Sequence, residues 1–120
     1  MSTAIMWFRR DLRLADNPAL VAACSHGEVV PVFVLDPNFL ARTPSPRTRF
    51  LFEALANLNT SLGGSLVLRS GDPVAVLSEL AAEVGASDIY CAKDFAPYGR
   101  ARDTRVALAL KERGVRLRGV

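Results

Sequence analysis

Residues 7–20, WFRRDLRLADNPAL, carry an apolar run straight into three arginines and two aspartates before Pro18 restarts regular structure. The apolar part belongs to AIMWF (4–8), a short continuous run of the kind made by strands buried on both faces. Pro18 behind Asp16 or Asn17 is a helix start, because proline suits the first helical position and the residue before it can cap. A strand that feeds a helix through a loop without glycine offers no G-x-G-x-x-G for a dinucleotide and no P-loop for a triphosphate.

The same alternation continues along the chain. VVPVFVL (29–35), SLVL (65–68) and DIYCA (88–92) read as further buried strands, and VRLRGV (115–120) alternates as an edge strand would. Ser45 with Pro46 and Asp72 with Pro73 start two more helices, and Gly27, Gly63, Gly85 and Gly114 close the four helical stretches. In the second of these, Leu51, Leu55, Leu58 and Leu62 recur at helical spacing and give one apolar face. Strand and helix alternating to a fifth strand predict an α/β fold, a Rossmann-like doubly wound five-stranded parallel sheet with helices on both faces, as one domain over residues 1–120. Ligands of such sheets bind beyond the carboxyl ends of the strands, so the loops after each strand are the places to search.

With 120 residues, half of them apolar, the chain can bury a core without staples. Cys24 and Cys91 lie in apolar stretches rather than as a C-x-x-C pair, which predicts packed, reduced thiols and a cytoplasmic protein. No apolar run approaches the length of a membrane span and the N-terminus lacks a secretory pattern. The net charge of +3 is uneven: residues 100–120 hold seven basic side chains against Asp103 and Glu112, so the rest is slightly negative. This reads as a basic tail, with Arg105, Lys111 and Arg113 on a solvated helix, rather than a phosphate-binding face. His26 is the single histidine and sits at a helix end, so no Ser-His-Asp, Cys-His or metal-ligand set can be assembled around it. No catalytic residue and no metal site is expected in this chain.

On residues alone, Arg9, Arg10 and Arg13 pair with Asp11 and Asp16 to satisfy the loop and pin the first helix.

WFRRDLRLADNPAL resembles the N-terminal signature of the DNA photolyase and cryptochrome family, an apolar strand running into R-x-D-L-R and then D-N. VFVLDPNFL, SPRTRFLFEAL, LRSGDP and DFAPYGRARD match in order, so the resemblance covers essentially the whole chain. It implies the light-harvesting antenna domain of a deoxyribodipyrimidine photolyase. The full-length form repairs UV-induced cyclobutane dimers in DNA with blue light and FAD. It further implies that this chain is a fragment, non-catalytic alone, whose partner is a C-terminal helical domain that holds FAD and meets damaged DNA. Arg9, Arg10 and Arg13 would then face that domain, and the isolated fragment would be a monomer or weakly self-associating, with its tail arginines hydrated. A cryptochrome photoreceptor is the alternative within the family. A nucleotide-binding stress or electron-transfer module is the alternative outside it.

Members of the family carry a second chromophore. The D-x-x-P-Y-G-R-x-R-D stretch resembles the subgroup that binds 8-hydroxy-5-deazaflavin more than the one that binds methenyltetrahydrofolate. Ala96 stands where the deazaflavin subgroup often has glutamate. The resemblance implies a chromophore among Phe33, Val34, Leu35 and Asp36 at the end of the second strand, Arg47 at the start of the second helix, and Asp94 after the fourth strand.

Overall fold

The computed structural model describes residues 2–9, 12–37, 41 and 45–120. Its elements alternate as β1 (Ser2–Phe8), α1 (Pro18–Cys24), β2 (Gly27–Leu35), α2 (Ser45–Ser61), β3 (Val67–Ser70), α3 (Pro73–Val84), β4 (Asp88–Cys91), α4 (Pro97–Lys111) and β5 (Arg116–Gly119). All five strands are parallel, in the order β3-β2-β1-β4-β5. Ile5 pairs with Val30 on one side and Ile89 on the other, so β1 runs through the middle of the sheet.

That central position explains why β1 is apolar at every step from Ala4 to Phe8. Ala4, Met6 and Phe8 pack with Ala19 and Ala23 of α1 and Leu55 and Leu58 of α2. Ile5 and Trp7 point to the other face, among Leu77 and Leu80 of α3 and Val106 and Leu110 of α4. Two cores therefore sandwich one strand, each built from alternate residues.

The helix starts are local chemistry. Asn17, not Asp16, caps α1: its side-chain oxygen accepts the Leu20 N–H at 3.2 Å and its amide donates to the Arg13 carbonyl at 3.0 Å. Asp16 takes the left-handed conformation, at φ +50, which lets the chain turn into that cap. Asp72 caps α3 by accepting the Val74 N–H. Gly85 ends α3 in the left-handed conformation that favours glycine.

Three local expectations are corrected. β3 starts at Val67 rather than Ser65, because pairing with β2 begins at Val32 and Val67 while the Leu66 N–H is taken by the Asn59 side chain. This strand lies at an edge, with Leu68 exposed, so it is not buried on both faces. Cys91 is buried as expected, but Cys24, at the last position of α1, is exposed. No helix among the described residues is long and apolar enough to cross a membrane.

Candidate ligand-binding site

The order of the strands reverses between β1 and β4, the place where open α/β sheets form a crevice beyond their carboxyl ends. Arg9 crosses this crevice. Continuing the alternation of β1, it follows Trp7 onto the face of α4, donates to the Ala92 carbonyl just beyond β4, and pairs with Asp103 of α4. Its side chain is only 11% exposed. Arg102 extends the network, donating from Nε to Asp103 at 3.1 Å and from Nη2 to Asp94 at 3.2 Å. The Trp7 ring meets both cations, with the Arg9 and Arg102 Cζ atoms at 4.9 and 5.6 Å from its centroid. Both lie within cation–π reach.

Asp94 is fixed from a second direction. Its Oδ1 accepts the Ala96 N–H at 3.0 Å in the turn that enters α4. The carboxylate then lies directly over Gly99 in the first turn of α4, where a Cβ would overlap its atoms. Glycine at 99 is thus what admits the carboxylate to this place.

Beside this network opens a cavity of about 870 Å³. Trp7, Phe8 and Phe33 to Asp36 line it from the strand ends, Phe50, Leu51 and Ala54 from α2, and Ala92 to Ala96 with Tyr98 and Arg102 from the β4–α4 side. Its apolar surface is interrupted by two carboxylates, Asp36 and Asp94, and three cations, Arg9, Lys93 and Arg102. Phe50, Phe95 and Tyr98 combine a place on its wall with high exposure. Such a volume suits a drug-sized or cofactor-sized molecule, and the lining suits a flat ring with polar groups at its edges.

The residues singled out in the sequence fall as follows. Phe33, Val34, Leu35, Asp36 and Asp94 all line the cavity. Arg47 is exposed near the start of α2 and is not among the described lining residues. Arg9 is enclosed by the α/β unit itself, while Arg13 is exposed and donates to the Ala15 and Asp16 carbonyls ahead of α1. Arg10 and Asp11 lie outside the described residues. Trp7, Phe50 and Arg102 were not anticipated as lining, whereas Phe95 and Tyr98 fall in the stretch after the fourth strand where ligand contacts are expected. Of the unanticipated residues, Phe50 had a readable signal, since it sits off the leucine face of α2.

The basic stretch is less free than expected. Arg102 pairs with Asp94 and Asp103, Arg105 lies 3.6 Å from Asp72, and Arg116 and Arg118 lie 3.8 and 2.8 Å from Asp88. Its arginines are therefore partly neutralised within the domain, not simply hydrated. His26 lies at the amino ends of the strands, away from the cavity, with Nε2 at 2.7 Å from the Tyr90 hydroxyl. No group of side chains suited to a metal occurs among the described residues.

A family model described as DNA photolyase matches residues 4–120. A cryptochrome DASH from Natronomonas pharaonis is 40% identical over 98% of this chain and 27% of its own length. A deoxyribodipyrimidine photo-lyase from Thermus thermophilus is 41% identical over 92% of this chain and 27% of its own. Among solved structures, an archaeal photolyase from Sulfolobus tokodaii superposes with a TM-score of 0.85 at 31% identity, covering 98% of this chain and 28% of that one. It is described with two FAD molecules and the implication of a novel light-harvesting cofactor. The chain thus spans about a quarter of the length of these relatives. A cryptochrome and a photolyase match it almost equally well, so identity does not sort it between the two.

Proposed function

The chain belongs to the DNA photolyase family, as its N-terminal α/β domain, and we propose that this domain holds a light-harvesting chromophore of the 8-hydroxy-5-deazaflavin class in the cavity at the carboxyl ends of its strands. The observation that carries the reading is the cavity itself: about 870 Å³, apolar along Phe33, Val34 and Leu35, and furnished with both carboxylates and cations. A deazaflavin is flat and apolar across its rings, carries a ring N–H that donates, and has a hydroxyl that ionises. Asp94 or Asp36 would accept from the N–H, and Lys93 or Arg102 would face the ionised oxygen. Asp94 accepts from Ala96 and Arg102, which fix its carboxylate on the cavity wall. The residues present fit the group, with Ala96 contributing no carboxylate of its own.

When bound, the chromophore supplies absorption of light and transfer of the excitation. The chain's own part is to bind, orient and keep dry. Phe33, Val34 and Leu35 give the ring faces a hydrophobic bed, and the Arg9–Asp103–Arg102–Asp94 network holds the polar groups in place before the ligand arrives. In the complete protein the excitation would pass to an FAD in a C-terminal helical domain, which would repair cyclobutane pyrimidine dimers in DNA. A cryptochrome photoreceptor would use the same cavity without repair, and dimer repair assayed in the full-length protein separates the two.

FAD in the same cavity is a second reading, favoured by the Sulfolobus tokodaii photolyase described with two FAD molecules. Reconstitution with equal amounts of 8-hydroxy-5-deazaflavin, methenyltetrahydrofolate and FAD, followed by an absorption spectrum of the washed protein, tests both. Retained deazaflavin is the expected result; retained FAD moves the assignment to the second reading, and an empty protein ends both.

A further inference from the structure

Trp7 is the chain's single tryptophan, and it stands on the wall of the cavity in cation–π contact with two guanidiniums. Among the aromatic side chains, indole gives up an electron most readily without first losing a proton. Beside a photoexcited aromatic ring it is an electron donor: one electron would leave the indole for the excited ligand, an indole radical cation would remain, and the electron's return would release the excitation as heat. A light-harvesting site with a tryptophan in its wall therefore carries its own quencher.

Resting on the chromophore reading above, we infer that Arg9 and Arg102 suppress this quenching by making the Trp7 ring hard to oxidise. A guanidinium attracted to the electron-rich face of a neutral indole is repelled by the radical cation, and the repulsion grows where water is excluded. The Arg9 side chain is 11% exposed and that of Arg102 is 21% exposed. Asp103 and Asp94 pair with these arginines, which holds the guanidiniums in place and offsets the cost of keeping them from solvent. The two carboxylates also balance the network in total, so the protection is an effect of contact: both guanidiniums lie over the ring, at 4.9 and 5.6 Å from its centroid.

Three substitutions in the 120-residue chain, Arg102→Gln, Asp103→Asn and Trp7→Phe, with the first and last also combined, test this. One readout is the fluorescence lifetime of bound 8-hydroxy-5-deazaflavin. The other, on the ligand-free chain, is the yield of indole radical under a soluble one-electron photo-oxidant. Arg102→Gln is expected to shorten the lifetime about threefold, the order set by loss of one cation–π contact, and to raise the radical yield. Asp103→Asn leaves the guanidiniums with less compensation and moves both readouts the other way, which general loosening of the site would not do. Adding Trp7→Phe to Arg102→Gln restores the lifetime to that of Trp7→Phe alone. An unchanged lifetime in Arg102→Gln, or equal shortening in the Trp7→Phe background, overturns the inference. If the wild-type chain binds no deazaflavin, the chromophore reading fails by itself, and the radical yield of the ligand-free chain still decides this one.

Discussion

Each end of the sheet carries a carboxylate bound by arginine, and the two ends use it differently. At the amino ends, Asp88 is buried, accepts from Arg118 Nε at 2.8 Å and from the Ser87 hydroxyl at 3.3 Å, and has His26 Nε2 at 3.7 Å. At the carboxyl ends, Asp103 and Asp94 share Arg102, and Arg9 joins from β1. The arginines of the first cluster come from the edge strand β5, with the Arg118 and Arg116 side chains 42% and 73% exposed. Those of the second come from the sheet's center and from α4, and they are largely enclosed. The first cluster is a clip that fastens an edge; the second borders a cavity. Buried charge by itself does not mark a binding site, since room beside it is needed as well.

The enclosed end should be the more fragile. Replacing Arg9 by Met removes the donor to the Ala92 carbonyl and one partner of Asp103, leaving polar groups in a place that water reaches poorly. A loss of about 2–4 kcal/mol in urea unfolding is expected, together with loss of deazaflavin retention. A cost below that of the Asp88 variant considered next would break the contrast between the ends. Gly99→Ala acts on the same end by a different route, since the new methyl must displace the Asp94 carboxylate. Overpacking of this kind costs roughly 1–3 kcal/mol, and chromophore affinity should fall with it.

At the amino end, Asp88→Asn should cost about 1–2 kcal/mol at neutral pH and leave chromophore retention unchanged, because the clip lies away from the cavity. The pH dependence sharpens the contrast. Burial pushes the Asp88 carboxyl up, but the hydrogen bond and charge of Arg118, helped by Ser87 and His26, outweigh it and hold the group below its ordinary 3.8. A carboxyl lowered in the folded state stabilises fully above its unfolded value and loses that contribution as pH falls through the lowered one. Wild type and Asp88→Asn should therefore differ at neutral pH and converge in acid, followed by unfolding at a series of pH values. A difference that persisted in acid would mean that the charge of Asp88 is not what holds β5.

The fold was legible because its signals are local. Continuous apolar runs gave β1, β2 and β4, and Asn17-Pro18 and Asp72-Pro73 gave two helix starts to within a residue. The start of β3 was misplaced because its register is set by Val32 on another strand, which no local pattern reports. In the site, Phe33 to Asp36 and Asp94 were reachable as residues at strand ends once the resemblance pointed there. Arg102 was not, because it meets Asp94 only through the phase of α4. The partners that enclose Arg9 within the domain, Asp103 and Ala92, lie 94 and 83 residues further along the chain, where no local pattern points to them. Trp7 has two roles that a sequence cannot separate, filling the core beneath α4 and closing one wall of the cavity.

The smallest effect expected is that of Arg47→Ala. The family resemblance assigns Arg47 to the chromophore, whereas the described cavity wall is made without it. It occupies the first turn of α2, where a positive charge opposes the helix dipole, so its removal should leave stability unchanged or raise it by roughly 0.3 kcal/mol. For chromophore affinity the two ends of the sheet supply the scale. If recognition rests on the enclosed network, Arg47→Ala should retain deazaflavin nearly as well as wild type, like Asp88→Asn and unlike Arg9→Met. A loss approaching that of Arg9→Met, measured by titrating the ligand against each variant, would extend the site across its mouth to the first turn of α2. Recognition would then depend on an exposed charge as much as on the enclosed ones.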